Sequence, residues 1–257
     1  MLISLLTVII KTREKLNAGN PTIVLQKFLS ITQNLRLPSI CTLCNQFHKS
    51  QLAVCSNCIE FMKQLGSCCQ YCAYPLSDDT YLVCGQCVRK RPSFDRAYIA
   101  YRFEEPLRNL IHQFKYHNGL YLASFLKQLL LDALPKSALK PDCLIPVPMH
   151  PKRLKRRGFN QAAVLTRLLA RQLKIPYDLY YCQKIINTAS QANLDGEQRR
   201  KNLRHAFYVS PVTYEHVMIV DDLLTTGSTA NEMAHTLKNA GVKRVDICCC
   251  ARTVTKN

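Results

Sequence analysis

The sequence predicts an α/β protein in which a mostly parallel sheet is flanked by helices and preceded by a small cysteine-rich module. Beyond about residue 94, short apolar runs typical of strands alternate with segments of helical periodicity. The apolar run Val217–Val220 leads into an acid pair, a hydroxyl-rich glycine loop and a helix, the order found at ligand sites of open sheets. Nine of the fourteen cysteines lie between Cys41 and Cys87, which indicates a separate module.

Apolar residues of the larger domain alternate along the chain between helical and strand spacing, which predicts the order of its elements. We expect a strand over Ala97–Phe103, helices over Leu107–Phe114 and Leu122–Leu134, a strand over Cys143–Val147, a helix after Gly158, a short strand near Tyr180–Ile186, a strand over Val217–Val220, a helix over Thr229–Ala240 and a strand over Val245–Cys250. The chain then divides into an N-terminal extension with a short helix (1–40), a cysteine module (41–91) and the sheet domain (94–257).

The composition points to an anionic partner. The 257 residues include 35 Lys and Arg against 17 Asp and Glu, a formal charge of +18, and 47% of them are hydrophobic. A hydrophobic fraction of that size predicts a folded chain rather than a disordered one. The positive charge favours phosphate, nucleic acid or a membrane surface as partner, without choosing among them.

The N-terminal stretch Leu2–Ile10 is apolar, but no basic cluster precedes it and no small-residue cleavage pattern follows. It is also shorter than the roughly 20 residues of a membrane-spanning helix. We therefore expect a cytoplasmic protein with reduced thiols and no transmembrane segment. Two interpretations of residues 1–20 remain, a disordered start or an apolar segment that touches a membrane.

The segment from Val217 to Thr229 is the strongest candidate for a phosphate site. Gly227 lets the backbone approach a ligand, and the hydroxyls and N–H groups of Thr225–Thr229 can bind a phosphate. Asp221 and Asp222 can accept hydrogen bonds from vicinal hydroxyls, which suits a ribose 5-phosphate. A capping box from Thr229 to Glu232 is expected to begin the next helix. The rival nucleotide motifs GxGxxG and GK[ST] are absent from the sequence.

These thirteen residues resemble the type I phosphoribosyltransferase signature at every position. The resemblance implies that the segment binds 5-phosphoribosyl-1-pyrophosphate (PRPP). By that resemblance Asp221 and Asp222 are the catalytic pair and contact the ribose hydroxyls, and the 5-phosphate lies on Thr225, Thr226, Gly227, Ser228 and Thr229.

Two basic runs could neutralise the pyrophosphate of PRPP, and Mg²⁺ could assist them. They are Lys152, Arg153, Lys155, Arg156 and Arg157, and then Arg199, Arg200, Lys201 and Arg204. On charge alone, the first run is equally well explained as a solvated face or a nucleic-acid patch.

Four Cys-x-x-Cys pairs are separated by ten, ten and eleven residues. Their eight cysteines predict two structural zinc sites of four thiolates each: Cys41, Cys44, Cys55, Cys58, Cys69, Cys72, Cys84 and Cys87. We pair the first two motifs and the last two because neighbours close the shortest loops, although an interleaved pairing and a disulfide framework are alternatives. Cys68 does not keep the two-residue spacing. Cys143, Cys182 and Cys248–Cys250 lie in apolar runs and are expected to be core residues.

Two further segments are similar to conserved blocks of the ComF family. They are Ile145–Gln161, and Thr188–Phe207 with Gln191, Arg199, Arg200, Asn202 and Leu203. Over roughly residues 22–254 the chain resembles that family, a double zinc ribbon followed by a type I phosphoribosyltransferase domain. The resemblance implies a cytoplasmic factor of natural competence that handles incoming transforming DNA. It also implies that the first block forms a pyrophosphate loop and the second a flexible loop over the site.

Two functions remain open on these grounds. One is transfer of phosphoribose from PRPP to an amine or nucleobase nitrogen. The other is PRPP sensing by a protein that contacts single-stranded DNA or the competence machinery. A purine-biosynthetic amidophosphoribosyltransferase is not expected, since such an enzyme carries a glutaminase domain with a cysteine after Met1, and here Leu2 follows.

Overall fold

A computed structural model describes residues 39–116, 119–135, 137–138, 140–186, 206–211 and 214–254. Four of the sequence predictions fall wholly or largely outside these ranges: the short helix within residues 1–40, the interpretation of residues 1–20, the flexible loop over Thr188–Phe207, and the basic run from Arg199 to Arg204. Among the residues that the structure describes, no helix is long and apolar enough to cross a bilayer.

The elements follow the predicted alternation, and we number them in chain order. They are β1 (Ser39–Ile40), β2 (Phe47–His48), α1 (Ser56–Glu60), α2 (Gly85–Arg89), β3 (Arg96–Tyr98), β4 (Tyr101–Arg102), α3 (Leu107–Tyr116), a 3₁₀ turn (Gly119–Leu122), α4 (Ala123–Ala133), β5 (Cys143–Pro146), α5 (Pro151–Arg157), α6 (Gln161–Leu173), β6 (Cys182–Lys184), β7 (Phe207–Val209), β8 (His216–Leu224), α7 (Ser228–Asn239) and β9 (Arg244–Arg252).

A parallel sheet forms the centre of the molecule, with the strand order β3-β9-β8-β5 and with β4 also paired to β9. The small hairpins β1-β2 and β6-β7 lie outside it. All pairings of the central sheet are parallel, so the carboxyl ends of β5 and β8 meet at one edge. Ligands of open α/β sheets bind at this edge.

Side chains of the central strands alternate between two buried clusters. Val217 and Ile219 of β8 lie in the cluster that includes Met233 and Leu237 of α7. The other face of β8 belongs to a second cluster, to which α3, α4 and α6 contribute their apolar residues. Helices therefore cover both faces, which explains why β8 and β9 are apolar without alternation.

The five scattered cysteines are core residues, as predicted. Cys143, Cys182 and Cys248–Cys250 are all buried. Burial raises the pKa of Cys143 to about 11 and that of Cys182 to about 12. These thiols are therefore neutral at physiological pH and behave as small apolar side chains.

Two local predictions around the acid pair and the phosphate loop were wrong. Strand β8 continues past Val220 to Leu224, because its last residues pair with the equally long β9. The capping box at Thr229 does not form: α7 begins at Ser228, and its N-cap Gly227, with φ 77°, makes no side-chain cap hydrogen bond. The left-handed turn at Gly227 starts the helix before Thr229 can cap it.

The basic run after β5 is a helix rather than a loop. Helix α5 has Pro151 at its first turn, and the side chain of His150 accepts a hydrogen bond from Lys152 N. It ends at Gly158, which has φ 87°. Both are helix boundary signals that the sequence carries, because proline suits a first turn and glycine suits a left-handed C-cap.

Candidate functional site

The acid pair lies at the carboxyl end of β8, where the strand reaches the ligand edge of the sheet. Asp222 is buried, with its side chain 3% exposed, and Asp221 is half-buried. The N–H of Asp222 donates to Oδ1 of Asp221 at 2.9 Å. Because both residues belong to a paired strand, their carboxylates are held by the sheet and not by a loop.

Lys115 is a site residue that sequence reasoning missed. It lies on α3, and its Nζ is 2.9 Å from Oδ2 of Asp222, with the Lys115 side chain 17% exposed. Burial lowers the pKa of Lys115, but the charge and hydrogen bond of Asp222, together with the charges of Asp221 and Tyr116, outweigh burial and the pKa is raised overall. The lysine is therefore a charged counterion inside the site. No local signal marks it, since a lysine on the polar side of an amphipathic helix is ordinary.

The environment of Asp221 favours its neutral form in the free protein. Burial is the main cause, and the neighbouring charge of Asp222 adds to it, so the pKa of Asp221 is raised well above its ordinary value. Lys115 opposes this shift only partly. One lysine therefore balances one of the two carboxyl groups, and a cation or a set of donors would be needed to ionise the second.

The predicted phosphate loop follows directly from β8. Thr226 Oγ1 and Ser228 Oγ are 2.9 Å apart, and Ser228 N donates to Thr226 Oγ1 at 3.3 Å. A side chain at Gly227 would find space, since its nearest neighbours are 4.0 Å away, so the positive φ and not crowding requires glycine there. The loop is closed by Asn231 N, which donates to Gly227 O at 2.8 Å.

The loop and the acid pair share one depression at the sheet edge. The smaller part of it is lined by the loop together with Val147, Asp221 and Cys249. A larger adjoining cavity, about 950 Å³ when measured to its open mouth, shares Asp221, Thr225 and Thr229 with the smaller part. The two parts form a continuous site with hydroxyl groups at one end.

The larger cavity has a cationic wall. Its basic lining residues are Lys115, Arg153, Arg157 and Lys184. Burial, with a smaller effect from the charge of Arg153, lowers the pKa of Lys184 to about 8. An anion at this wall would relieve the repulsion between these positive groups.

Helix geometry sorts the predicted basic residues into two groups. Arg153 and Arg157 are half-buried, four residues apart on one helix face, and line the cavity. Lys152 and Arg156 are exposed and are not among the residues that line it. Their role in ligand binding stays a prediction.

Arg157 is held in position by two neighbours. Its guanidinium donates to Gln161 Oε1 and to the hydroxyl of Tyr116, both at 2.9 Å. Its Cζ also lies 4.7 Å from the centroid of the Tyr116 ring. An arginine fixed in this way can bind a ligand with little loss of side-chain entropy.

The eight predicted ligand cysteines form two clusters in the pairing that we expected. Cluster I contains Cys41, Cys44, Cys55 and Cys58, and cluster II contains Cys69, Cys72, Cys84 and Cys87. In each cluster all four Sγ atoms lie within 4.8 Å of one another. Cys68 belongs to neither.

The cluster geometry fits a tetrahedral zinc ion. A Zn–S bond of about 2.3 Å implies Sγ atoms roughly 3.8 Å apart. The Sγ atoms of Cys44 and Cys55 are 3.9 Å apart, and those of Cys72 and Cys84 are 3.6 Å apart. Both clusters can therefore hold a zinc ion with all four positions filled by protein, which is the arrangement of a structural site.

The protonation chemistry of cluster I also suits a cation. Burial raises the pKa of the Cys41 thiol, but backbone N–H groups of Cys55, Cys44 and Leu43 outweigh it and lower the pKa to about 6. Burial and the neighbouring thiols raise the pKa of Cys58. Four crowded thiols cannot all ionise without a central cation, which zinc would supply.

Comparison with known proteins supports the fold. A model of the phosphoribosyl transferase domain matches residues 160–256. The chain is 35% identical to the DNA utilization protein YhgH of Salmonella typhimurium over 227 residues, which cover 86% of this chain and 100% of the relative. It is 35% identical to Competence protein F of Haemophilus influenzae over 211 residues, which cover 78% and 90% of the two chains.

Among solved structures, the glutamine PRPP amidotransferase from Bacillus subtilis is similar, with a TM-score of 0.35 and 19% identity over 52% of this chain and 29% of that one. The domain match and the parallel sheet identify the fold as that of a type I phosphoribosyltransferase, with two cysteine clusters that fit zinc ribbons. With this fold, this site and relatives that match it along most of its length, the chain belongs to the ComF family of phosphoribosyltransferase-like proteins.

Proposed function

We propose that this protein binds PRPP, with Mg²⁺, in the depression at the carboxyl edge of its sheet. The observation that carries the proposal is that a hydroxyl-rich anion loop, a carboxylate pair and a cationic wall all line one continuous site. PRPP has a phosphate, a pair of vicinal hydroxyls and a pyrophosphate in that order. The three parts of the site match the three parts of the ligand.

The loop residues Thr225–Thr229 would bind the 5-phosphate through N–H and hydroxyl groups. Asp221 and Asp222 would accept hydrogen bonds from the ribose hydroxyls. The pyrophosphate would lie against Arg153 and Arg157, whose guanidinium groups match phosphate geometry. Bound Mg²⁺ would supply further charge neutralisation at the pyrophosphate.

Lys115 would act before and during this binding. In the free protein it neutralises Asp222 at 2.9 Å, so that the carboxylate can stay ionised although it is buried. A ribose hydroxyl could donate a hydrogen bond to Asp222 while Lys115 remains paired with the same carboxylate. Lys115 would therefore keep the carboxylate of Asp222 ionised, so that it can accept a hydrogen bond from a ribose hydroxyl.

Competence and the handling of DNA form the biological setting that we propose. The relatives that cover most of this chain are named for DNA utilization and competence. The exposed Lys152 and Arg156 provide a positive face outside the cavity, suited to single-stranded DNA or to the uptake machinery. We place the protein in the cytoplasm, where thiols stay reduced and can hold zinc.

Phosphoribosyl transfer is a second candidate function, and the size of the cavity favours it. The cavity, about 950 Å³ to its open mouth, is lined by Tyr116 as well as by the acid pair, and Tyr116 is 59% exposed. An amine or nucleobase nitrogen would attack C1 of PRPP from the side opposite the pyrophosphate. The C1–O bond would break with its electron pair leaving on pyrophosphate, and the attacking nitrogen would release its proton to solvent.

Titration calorimetry of zinc-loaded protein with PRPP and Mg²⁺ tests the primary proposal. We expect one binding event per chain, weakened at least about a hundredfold by Asp222→Asn together with Thr226→Val, because both removed groups contact ligand. Asp78→Asn, at an exposed turn, is the matched control. Heat of binding that survives in the double variant would reject this site.

Pyrophosphate release in the presence of candidate acceptors separates the two functions. Turnover that depends on an acceptor and is lost in Asp222→Asn would establish the transferase. If the protein binds PRPP but releases no pyrophosphate with any of the nucleobases and simple amines tested, a sensing role is supported.

The salt dependence of the protein's affinity for single-stranded DNA tests the proposal that its exposed basic face binds DNA. Replacing Lys152 and Arg156 with Gln should reduce the slope of log K against log salt by roughly 1 to 2, since each contact releases about one counterion. The exposed Lys243→Gln is the matched control. An unchanged slope would remove this face as the DNA contact.

A further inference from the structure

Arg252 contacts three separate segments with one guanidinium. It is the last residue of β9, and only 5% of it is exposed. Its Nε donates to the carbonyl of Cys72 at 3.2 Å, and Nη1 donates to the carbonyls of Leu224 at 3.1 Å and Thr253 at 3.0 Å. Nη1 also donates to the carbonyl of Thr225, the first residue of the phosphate loop. The side chain thus lies between cluster II and the phosphate loop.

Arg252 also approaches an aromatic side chain next to cluster II. Its guanidinium carbon is 5.7 Å from the centroid of the Tyr74 ring. Tyr74 follows the cluster residue Cys72, and Tyr74 O accepts a hydrogen bond from Cys69 N at 2.8 Å. Any shift of the Cys69–Cys72 turn would therefore move both the carbonyl and the ring that hold the arginine.

The charge of Arg252 needs a nearby anion. Among the described residues no carboxylate forms an ion pair with it, and a buried cation without a counterion is costly. Two anionic groups would flank it in the loaded protein. Four thiolates with one divalent cation leave two negative charges at cluster II, and a bound phosphate places charge at the loop.

We propose that Arg252 is a positioning residue that couples cluster II to the phosphate loop, so that affinity for the 5-phosphate depends on the metal state of cluster II. The inference rests on the proposed binding of PRPP at Thr225–Thr229. It goes further by giving one cysteine cluster a role in ligand affinity. Among the described residues no hydrogen bond joins cluster I to Arg252, and Cys41 packs in the apolar core on the other face of the sheet.

The matched pair of variants is Arg252→Met and Arg102→Met. Arg102 is the strand residue that pairs with Arg252, and its Nε donates to the carbonyl of Gln64 at 3.3 Å. It therefore also bonds the cysteine module, but it does not contact the phosphate loop. Both variants would be studied as full-length, zinc-loaded chains.

Calorimetry with PRPP and Mg²⁺ should show that Arg252→Met raises Kd at least about tenfold, because the loop carbonyls lose their donor. Arg102→Met should bind as the unaltered chain does, and Arg252→Lys should recover part of the loss, since an ammonium reaches fewer of the carbonyls. Equal Kd values for Arg252→Met and the unaltered chain would overturn the proposal.

Hydrogen exchange gives a readout that does not need PRPP to bind. In Arg252→Met the amides of 225–229 and 72–74 should exchange faster, while those of β5 stay protected. Faster exchange across the whole sheet would mean general destabilisation and would refute a positioning role. If the unaltered chain binds no PRPP, the proposed function fails, and this local exchange pattern still decides the coupling.

The cysteine clusters provide the second test, which also serves if Arg252→Met does not fold. Cys87→Ser opens cluster II and Cys58→Ser opens cluster I, each at the last cysteine of its cluster. We expect only the cluster II variant to raise exchange at 225–229 and to weaken PRPP binding. Equal effects from both variants would contradict the proposal.

Discussion

Replacing Lys115 with methionine removes one partner of a buried ion pair and tests whether the acid pair needs a counterion. The two side chains are 17% and 3% exposed, and the atoms involved are 2.9 Å apart. Breaking a buried pair by deleting one charge costs about 3–5 kcal/mol. We expect the lower end, about 3 kcal/mol, because the raised pKa of Asp221 leaves only the Asp222 carboxylate bare.

That loss corresponds to a fall in Tm of about 6–12 °C, at roughly 2–4 °C per kcal/mol for a chain of this size. Calorimetric unfolding of the zinc-loaded protein at pH 7 measures it. Lys243→Met is the matched control, since its pair with Glu215 at 2.7 Å is 72% and 74% exposed and is expected to contribute less than about 1 kcal/mol.

A double variant tests whether the loss of stability comes from the unpaired Asp222 carboxylate. Lys115→Met combined with Asp222→Asn removes both charges, so stability should return to within about 1 kcal/mol of the unaltered protein. If Lys115→Met has an unchanged Tm, or if the double variant is as unstable as the single one, the ion pair does not hold the site.

Three other predictions follow from the same contacts. Asp221→Asn should raise the Tm of the free protein by a few degrees. The folded-state pKa of Asp221 is raised above the ordinary value of 3.8. The contribution of the protonated carboxyl group to folding stability is therefore fully present below pH 3.8 and is lost as the pH rises through the raised pKa. The gain over the unaltered chain, measured by unfolding at a series of pH values, should therefore grow from pH 4 upward, and a pH-independent difference would contradict it. Gly227→Ala should cost about 1–2 kcal/mol and weaken PRPP binding in calorimetry, whereas Gly66→Ala, at a similar φ of 67°, should cost as much without affecting binding. Metal analysis should find two zinc ions per chain, and chelation should lower the Tm; one ion or none would reject the two-cluster interpretation.

The sequence predicted most of the sheet because its information is local and repeated. Strands β5, β8 and β9 are continuous apolar runs, and the helices between them keep a clear period. The sequence misplaced the end of β8 because Asp221 and Asp222 are poor strand residues. They remain in the strand because their neighbours pair with β9, an effect of tertiary structure that no local pattern records.

The site was predicted where its residues are contiguous and missed where the chain returns to it from a distance. Residues Asp221 to Thr229 are consecutive in the sequence, and each Cys-x-x-Cys pair is a recognisable local motif. Lys115 and Arg252 come from elements far away in sequence, and both are single charged residues at unremarkable positions of a helix and a strand. Only the folded structure brings Lys115 to Asp222 and Arg252 to the loop carbonyls.

The most direct test of the account is a crystal structure of the zinc-loaded protein with PRPP and Mg²⁺. We expect density for the 5-phosphate within the loop 225–229, with the ribose hydroxyls at Asp221 and Asp222 and the pyrophosphate toward Arg153 and Arg157. PRPP bound elsewhere, or a site without ligand at a concentration that saturates the calorimetric signal, would contradict the account.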